Sequence, residues 1–159
     1  MRKVAIKNLI PGLVNGIQVQ MPGAGEIEKE LYFEWAPSSL ITQFNTSSIS
    51  GGLLRSSKSE PIFKEIESHI DAEMFYFVSG TAIMLFIDIK DEKPLLDTIQ
   101  IVRIQSGTQL IIPSGKGHFV PVPEGTDPIE IIVIAPKMGD IKTKLPEPVR
   151  GILLADKTS

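Results

Sequence analysis

Short apolar runs that alternate with polar residues, broken by glycine and proline, extend along most of the chain. Residues 17–20 alternate with a period of two, which is typical of a strand with one buried face. Residues 129–134 are almost continuously apolar, which predicts a strand buried on both faces. The predicted strands are 4–7, 17–20, 30–35, 62–69, 73–78, 81–88, 99–104, 109–112 and 129–135. Residues 149–154 are either a short strand or a single helical turn. Short strands separated by turn residues in this way predict a sandwich or a barrel.

The composition supports a fold that is all-β or mostly β. Isoleucine occurs 23 times, and β-branched side chains fit the pleated, half-buried surface of a strand. The 13 glycines and 12 prolines are spread along the sequence, where they supply turns. A length of 159 residues fits a single domain, 1–159. Within it we expect N-terminal strands and a loop at 1–60, a barrel core at 61–135 and a C-terminal extension at 136–159.

The charge and the lack of cysteine argue against several classes of function. A net charge of −3 without a basic run argues against nucleic acid as a partner, since phosphate binding requires clustered lysine and arginine. Without cysteine, neither disulfides nor thiolate chemistry is available. No apolar run reaches the length of a membrane span, and the first residues lack the apolar stretch of a signal peptide. We therefore expect a cytoplasmic protein that does not bind membranes.

The two histidines of the chain carry its strongest chemical signal. His69 comes two residues after Glu67 and four residues before Glu73, and His118 follows a turn rich in glycine. Alternate residues of a strand point to one face, so Glu67 and His69 share a face, and Glu73 opens the next predicted strand. If the strand at His118 pairs near residues 61–69, the four side chains converge. Imidazole and carboxylate donors from neighbouring strands are what a divalent metal requires.

The segment that ends at His118 resembles the second sequence motif of the cupin superfamily. Its glycine, proline, glycine and histidine positions fall on Gly107, Pro113, Gly115 and His118, and Val122 stands in place of the final asparagine. Proline fixes one backbone dihedral of this turn, and glycine tolerates a positive φ. The turn therefore directs His118 to the start of the next strand.

The first cupin motif is matched at His69, Glu73 and Gly80. Glu67 replaces the first histidine with another metal-binding group, and Pro61 stands in place of the first glycine. The resemblance implies an all-β fold, the double-stranded β-helix or cupin jelly-roll barrel. It also implies a divalent metal ion as the cofactor.

Within the cupins, the chain is most similar to the ureidoglycolate lyase family, also called ureidoglycolate hydrolases. The likeness lies in residues 65–69, 88–104 and 118–121 and in the overall length. It implies cleavage of (S)-ureidoglycolate, a small anionic substrate, to glyoxylate and urea, a step of purine-derived nitrogen recovery. The cupin resemblance further implies a homodimer, in which edge strands from residues 1–55 extend one sheet and build the interface.

By this resemblance, Glu67, His69, Glu73 and His118 are the metal ligands. Lyase chemistry needs a base for the substrate hydroxyl and an acid for the departing urea, so Glu67, Glu73 and His118 are the predicted catalytic residues. Whether Glu67 or Glu73 is the base, rather than a ligand alone, stays open. The oxygen and nitrogen donors suit Mn, Fe, Ni, Zn or Mg.

Two cations are candidates for binding an anionic substrate. Arg103 alternates with Ile104 in a predicted strand, and Lys116 precedes His118 by two residues. The alternative for each is an ordinary surface charge, which is the more frequent state of lysine and arginine. Glu65 shares the face of Glu67 and is either a neighbour of the metal ligands or a solvated carboxylate.

Two other classes of function use the same side chains. One is a different metal-dependent cupin enzyme, an isomerase or an iron-dependent dioxygenase. The other is a cupin without catalytic activity that binds a small ligand. For the histidines themselves, the alternative is a structural role in the core or at the rim of the barrel.

Overall fold

The computed structural model describes residues 1–154, which form fourteen β-strands and no helix. Residues 1–154 therefore contain no helix that is long and apolar enough to span a membrane. The strands are β1 (Arg2–Asn8), β2 (Gln18–Gln20), β3 (Glu28–Lys29), β4 (Glu34–Trp35), β5 (Ile49–Ser56), β6 (Ile62–Ser68), β7 (Glu73–Ser79), β8 (Ala82–Lys90), β9 (Lys93–Ile104), β10 (Gln109–Ile112), β11 (Gly117–His118), β12 (Val122–Pro123), β13 (Ile129–Pro136) and β14 (Ile141–Ile152).

The strands form two large sheets and one small hairpin. The five-stranded sheet has the order β2-β10-β7-β13-β5, and the seven-stranded sheet has the order β11-β6-β14-β1-β9-β8-β12. Strands β3 and β4 pair only with each other in the described residues. Because β11 also pairs with β8, strands β6, β14, β1, β9, β8 and β11 close into a ring. Closure of the ring hides sheet edges that would otherwise be exposed.

Strand β8 is buried on both faces and separates two apolar cores. One core lies between the two sheets, and its members on β8 are Ala82, Met84 and Phe86. The other core lies inside the ring, and its members on β8 are Ile83, Leu85 and Ile87. Each large apolar side chain buried in this way contributes about 1.5–3 kcal/mol to folding. The arrangement is an all-β jelly-roll barrel, which confirms the predicted fold class.

The predicted strands around the candidate site are confirmed within two residues, but others are wrong. Residues 30–35 were expected to form one strand, whereas the short hairpin of β3 and β4 occupies this region. Residues 129–134 were expected to be buried on both faces, yet Ile132 and Ile134 are 44% and 40% exposed. Strand β13 therefore has one face toward the core and one apolar face toward solvent.

The predicted C-terminal extension contributes a strand to the barrel. Strand β14 lies between β6 and β1 in the seven-stranded sheet. The sequence offered a strand only at residues 149–154, as one of two alternatives, because Pro146 and Pro148 cannot donate hydrogen bonds to a neighbour. The ladder between β14 and β6 is interrupted between Lys144 and Val149, so neither proline occupies a paired position in it.

Edge strands from residues 1–55 were expected to extend one sheet, and the structure divides the N-terminal strands between the two large sheets. Strand β1 lies inside the seven-stranded sheet and runs parallel to both of its neighbours, β14 and β9. Strands β2 and β5 do form the two edges of the five-stranded sheet. Two edges of one sheet therefore come from the first third of the sequence.

Candidate metal centre

Three short elements bring the predicted ligands together. Glu67 lies near the end of β6, His69 follows that strand directly, and Glu73 opens β7. Asp71 lies in the turn between β6 and β7, and its carboxylate accepts hydrogen bonds from the backbone N–H groups of Ala72 and Asn45. These bonds fix the path of the turn. Antiparallel pairing of β11 with β6 sets His118 directly opposite Glu67. The predicted convergence required the strand at His118 to pair near residues 61–69, and that pairing is present.

The two imidazoles and two carboxylates lie close to one another. His118 Nε2 is 3.0 Å from Glu73 Oε2, and His69 Nε2 is 3.2 Å from the same oxygen. Glu67 Oε1 is 3.9 Å from His118 Nε2. The ring centroids of His69 and His118 are 5.3 Å apart. The donor atoms of Glu67, His69 and His118 lie within 4.8 Å of one another, a spacing that can hold one ion.

Backbone carbonyls orient both imidazoles. His118 Nδ1 lies 3.0 Å from the carbonyl oxygen of Lys116, and His69 Nδ1 lies 3.3 Å from that of Gly139. An Nδ1–H that donates to a carbonyl leaves Nε2 as the nitrogen that can bind a metal. His69 Nε2, His118 Nε2 and Glu73 Oε2 are all buried, and they have no hydrogen-bond partner besides one another. Buried polar atoms are normally paired, so these three atoms indicate a missing positive charge between them.

The distances fit a metal ion. Ligand bonds of about 2.1 Å that meet at right angles place neighbouring donor atoms about 3.0 Å apart. The separations of 3.0 and 3.2 Å between Glu73 Oε2 and the two imidazole nitrogens match this value. Glu73 therefore contacts both histidines of the group, while the donors that lie within 4.8 Å of one another are those of Glu67, His69 and His118. A set of two nitrogen and two oxygen donors suits a divalent transition metal.

The ionisation of Glu73 and His69 reflects their contact. Burial alone would raise the pKa of Glu73, but hydrogen bonds and charge from His118 and His69 outweigh burial and lower it to about 2. Burial alone would lower the pKa of His69, but the hydrogen bond and charge of Glu73, helped by the Gly139 carbonyl, raise it to about 9. Without a metal, a proton on His69 thus supplies the positive charge that the site requires.

Glu67 differs from Glu73 in its surroundings. Its side chain is 15% exposed, whereas those of His69 and His118 are 7% and 1% exposed. Burial, followed by the negative charge of Asp140, raises the pKa of Glu67 despite the opposing effect of His118. Glu67 is therefore the carboxylate of the two that is more easily protonated.

Asp140 is a residue that the sequence reasoning missed. Its carboxylate Oδ1 is 3.4 Å from His69 Nδ1, and its side chain is 45% exposed. A carboxylate on the far nitrogen of a metal-binding histidine orients the ring and makes it a stronger ligand. The sequence signal is weak, because a glycine followed by an aspartate is also the usual composition of a surface turn.

The charged groups of the two predicted substrate-binding residues, Lys116 and Arg103, pair with residues other than the candidate metal ligands. The Lys116 ammonium is buried against Asp88, although its backbone carbonyl supports His118. The Arg103 guanidinium pairs with Glu124 and Asn8. Both side chains already have acceptors, and their predicted role in substrate binding stays a prediction.

Arg103 lies in a different cleft, which it lines together with Thr81, Thr108 and Glu124. Ile112, at the C-terminal end of β10, pairs with Glu73. Thr108 directly precedes the N-terminal end of β10. The cleft is therefore at the opposite end of the barrel interior from the metal ligands. At a rise of about 3.3 Å per residue, the two places are roughly 13 Å apart along the strand.

Replacing Gly117 with alanine should destabilise the fold and displace His118. A Cβ atom there would lie 2.6 Å from Ile87 Cγ2 and 3.0 Å from the Ile87 carbonyl oxygen. Overpacking of this kind lowers the free energy of unfolding by about 1–3 kcal/mol. Urea denaturation followed by circular dichroism measures the change. Gly52→Ala is the control, because a Cβ at Gly52 meets no atom within 4 Å. Equal stability of the two variants would contradict the close packing of β11 on β8.

Comparison with known proteins gives a likeness at the level of structure. No protein-family model and no curated protein matches the sequence. Structures of oxalate decarboxylase from Bacillus subtilis, among them one at pH 4.6, match with a TM-score of 0.44 and 20% identity. Another structure of this enzyme, described with its Mn(II) centres, gives the same values. Each match covers 62% of this chain and 24% of the other, so this chain spans about a quarter of the decarboxylase length.

Proposed function

We propose that the protein is a metal-dependent lyase that acts on a small α-hydroxy acid bearing a urea group. The observation that carries the proposal is the close grouping of the Glu67, His69 and His118 donor atoms, with Glu73 in contact with both histidines. Four donors from three separate elements, two of them oriented by carbonyls, are costly to bury without a cation. The choice of (S)-ureidoglycolate as the substrate comes from the resemblance of residues 65–69 and 118–121 to ureidoglycolate lyases.

The proposed reaction breaks the bond between the hydroxyl-bearing carbon and the urea nitrogen. A base takes the proton of the hydroxyl group, and the oxygen forms the carbonyl of glyoxylate. The electron pair of the broken bond goes to nitrogen, which receives a proton and leaves as urea. A divalent ion, when bound, supplies Lewis acidity for the carboxylate and hydroxyl oxygens of the substrate.

The surroundings of the two carboxylates support a division of the roles that the sequence left open. Glu73 lies between both imidazoles and has a lowered pKa, which suits a permanently ionised ligand. Glu67 is partly exposed and its pKa is raised, so it exchanges a proton more readily. We therefore assign Glu67 as the base that takes the hydroxyl proton. The same group, once protonated, is placed to return the proton to the departing urea.

Urea release from racemic ureidoglycolate, measured with Mn, Fe, Ni, Zn or Mg added to metal-free protein, tests the function. We expect urea and glyoxylate in equal amounts, from one enantiomer, with at least one metal. A protein that binds metal but releases no urea would overturn the proposal. Oxygen uptake with Fe(II) would then place it among dioxygenases, and substrate binding without turnover would make it a binding protein.

Glu67→Gln is expected to lower kcat by about 100-fold to 1,000-fold, since a positioned acid–base group contributes about that much. The amide cannot take the hydroxyl proton, but it keeps the size of the carboxylate. Glu65→Gln is a matched control, because it removes the same charge two residues away on β6. Steady-state kinetics at saturating metal separates the two variants. Equal kcat values for Glu67→Gln and the unmodified protein would exclude Glu67 as the base.

A further inference from the structure

A row of directly paired residues crosses four strands at the candidate metal centre. Phe86 on β8 pairs with His118 on β11, which pairs in turn with Glu67 on β6. On its other side, Glu67 pairs with Lys142 on β14. Directly paired residues of neighbouring strands carry their side chains on the same face of the sheet. Lys142 therefore shares a face with Glu67 and His118, two of the candidate ligands.

Exposure to solvent increases along this row. Phe86 is fully buried in the core between the two sheets, and His118 is 1% exposed. The side chain of Glu67 is 15% exposed, and Lys142 is exposed. The row leads from the core to the solvent, and Lys142 is the member at its solvent end.

The segment that leads into β14 also contacts the other histidine. The Gly139 carbonyl oxygen is 3.3 Å from His69 Nδ1, and Asp140 Oδ1 is 3.4 Å from the same nitrogen. Lys142 follows two residues later, at the position paired with Glu67. Contacts on both sides thus fix the backbone of Lys142 relative to the ligands, while its long side chain keeps its freedom to turn toward a bound molecule.

Lys142 differs from the two cations predicted to bind substrate, because its charge is not already engaged. The Lys116 ammonium pairs with Asp88, and the Arg103 guanidinium pairs with Glu124. Within residues 1–154, by contrast, no carboxylate oxygen lies within 4.0 Å of the Lys142 ammonium. An anion can therefore bind there without breaking an ion pair.

The charges at the centre call for such a cation when the ligand is an anion. The carboxylates of Glu67 and Glu73 balance the charge of a divalent ion, and Asp140 adds a negative charge beside His69. A carboxylate that approaches these groups is repelled unless a positive charge lies close by. Lys142 is placed to supply that charge, in the row that contains Glu67.

We propose that Lys142 binds the carboxylate of the substrate and makes the centre selective for small α-hydroxy carboxylates over their neutral counterparts. This inference rests on the proposed function, because it assigns the anion-binding part of the same centre. Directly paired residues have Cβ atoms about 4.5–5.5 Å apart, so a carboxylate on the Lys142 ammonium lies beside Glu67. The hydroxyl-bearing carbon is bonded directly to that carboxylate, which brings the hydroxyl group to the base.

Calorimetric titration of glycolate and of its neutral counterpart, glycolamide, into Mn(II)-loaded protein tests the inference without turnover. Lys142→Gln should raise the dissociation constant of glycolate at least about 10-fold, because a hydrogen bond between two charged groups is lost. It should change that of glycolamide by less than about twofold, since the amide carries no charge. Lys144→Gln is the matched control, because it removes the same charge from β14 two residues further on, opposite Glu65.

The affinity for Mn(II) should be equal in Lys142→Gln and the unmodified protein, because Lys142 is not a ligand. A lower metal affinity would show that the lysine supports the ligands, and it would overturn the proposal. The proposal would also fail if glycolate did not bind, or if Lys142→Gln weakened glycolate and glycolamide equally. An equal effect of Lys144→Gln on glycolate would show a general effect of surface charge and refute the assignment to Lys142.

Steady-state kinetics with ureidoglycolate separates this inference from the lyase function. Lys142→Gln should raise KM at least about 10-fold with little change in kcat, as expected for a group that binds substrate and transition state alike. A fall in kcat at constant KM would indicate proton transfer by the lysine and refute the binding role. Urea release with an unchanged KM would keep the lyase function and overturn this inference. Glycolate binding that depends on Lys142, in a protein that releases no urea, would support this inference and overturn the lyase function.

Discussion

Replacing His118 with glutamine should abolish metal binding at the centre and, with it, turnover, while the barrel stays folded. His118 supplies one of the two imidazole nitrogens, and its Nε2 is 3.0 Å from Glu73 Oε2. Loss of a group that merely orients a ligand costs about 10-fold to 100-fold in metal affinity or activity, and loss of the ligand itself costs more. We therefore expect metal affinity to fall by more than about 100-fold. Isothermal titration of metal into chelator-treated protein measures it.

Glutamine is chosen because His118 is 1% exposed and its ring meets Phe75 edge-on, with 6.3 Å between the ring centroids. An alanine there would leave a cavity and destabilise the core for reasons unrelated to metal. His69→Gln and the double variant complete the set. Residues that act as one unit are not additive, so the double variant should lose little more activity than either single one. Retained metal stoichiometry, or unfolding of the metal-free variants, would indicate structural histidines instead.

Most of the candidate site was predictable because its information is local. Glu67, His69 and Glu73 fall within seven positions, and the spacing of strand and turn residues already directs them to one place. Gly80 and Gly115 have φ values of +79° and +76°, as the turns inferred from the sequence require. The one long-range condition, pairing of His118 with Glu67, is confirmed.

What the sequence concealed depends on partners that are distant along the chain. Asp140 acts on His69 from 71 positions away, and the strand that follows it contains two prolines. Alternation along β9 predicts which face of the strand Arg103 lies on. It does not predict which end of the barrel Arg103 lies at. Its partner Glu124 is 21 positions away and holds it in the other cleft. Period-two patterns therefore place side chains on a face without placing them along the strand.

Turn chemistry explains another error, at the start of β9. The hairpin between β8 and β9 turns at Asp91 and Glu92, which have φ values of 50° and 62°. Positive φ at both central residues normally calls for glycine or asparagine. Asp91 and Glu92 therefore do not signal a tight hairpin, and no strand was predicted between residues 88 and 99. The structure begins β9 at Lys93. The long antiparallel pairing of β8 with β9 therefore overrides the local backbone preference of Asp91 and Glu92.

Metal affinity should depend on pH over an unusually alkaline range. In the metal-free protein the pKa of His69 is about 9, because Glu73 holds its proton. A metal must displace that proton, so apparent affinity should fall about tenfold for each pH unit below 9, or about 1,000-fold between pH 9 and pH 6. An unperturbed imidazole would show the same decline only below about pH 6.5. Titrations at pH 7 in two buffers with different ionisation enthalpies should report about one proton released per metal bound.

The stability of the metal-free protein should follow the opposite trend. The folded pKa of His69 lies above its ordinary value of 6.5, so its contribution is complete below pH 6.5 and is lost as pH rises through about 9. The folded pKa of Glu73 lies below its ordinary value of 4.5, so its contribution is present above pH 4.5 and is lost as pH falls toward about 2. The rise in Tm on adding metal should therefore grow from pH 6 to pH 9. A rise that is constant over this range, with no proton released at pH 7, would contradict metal binding through His69.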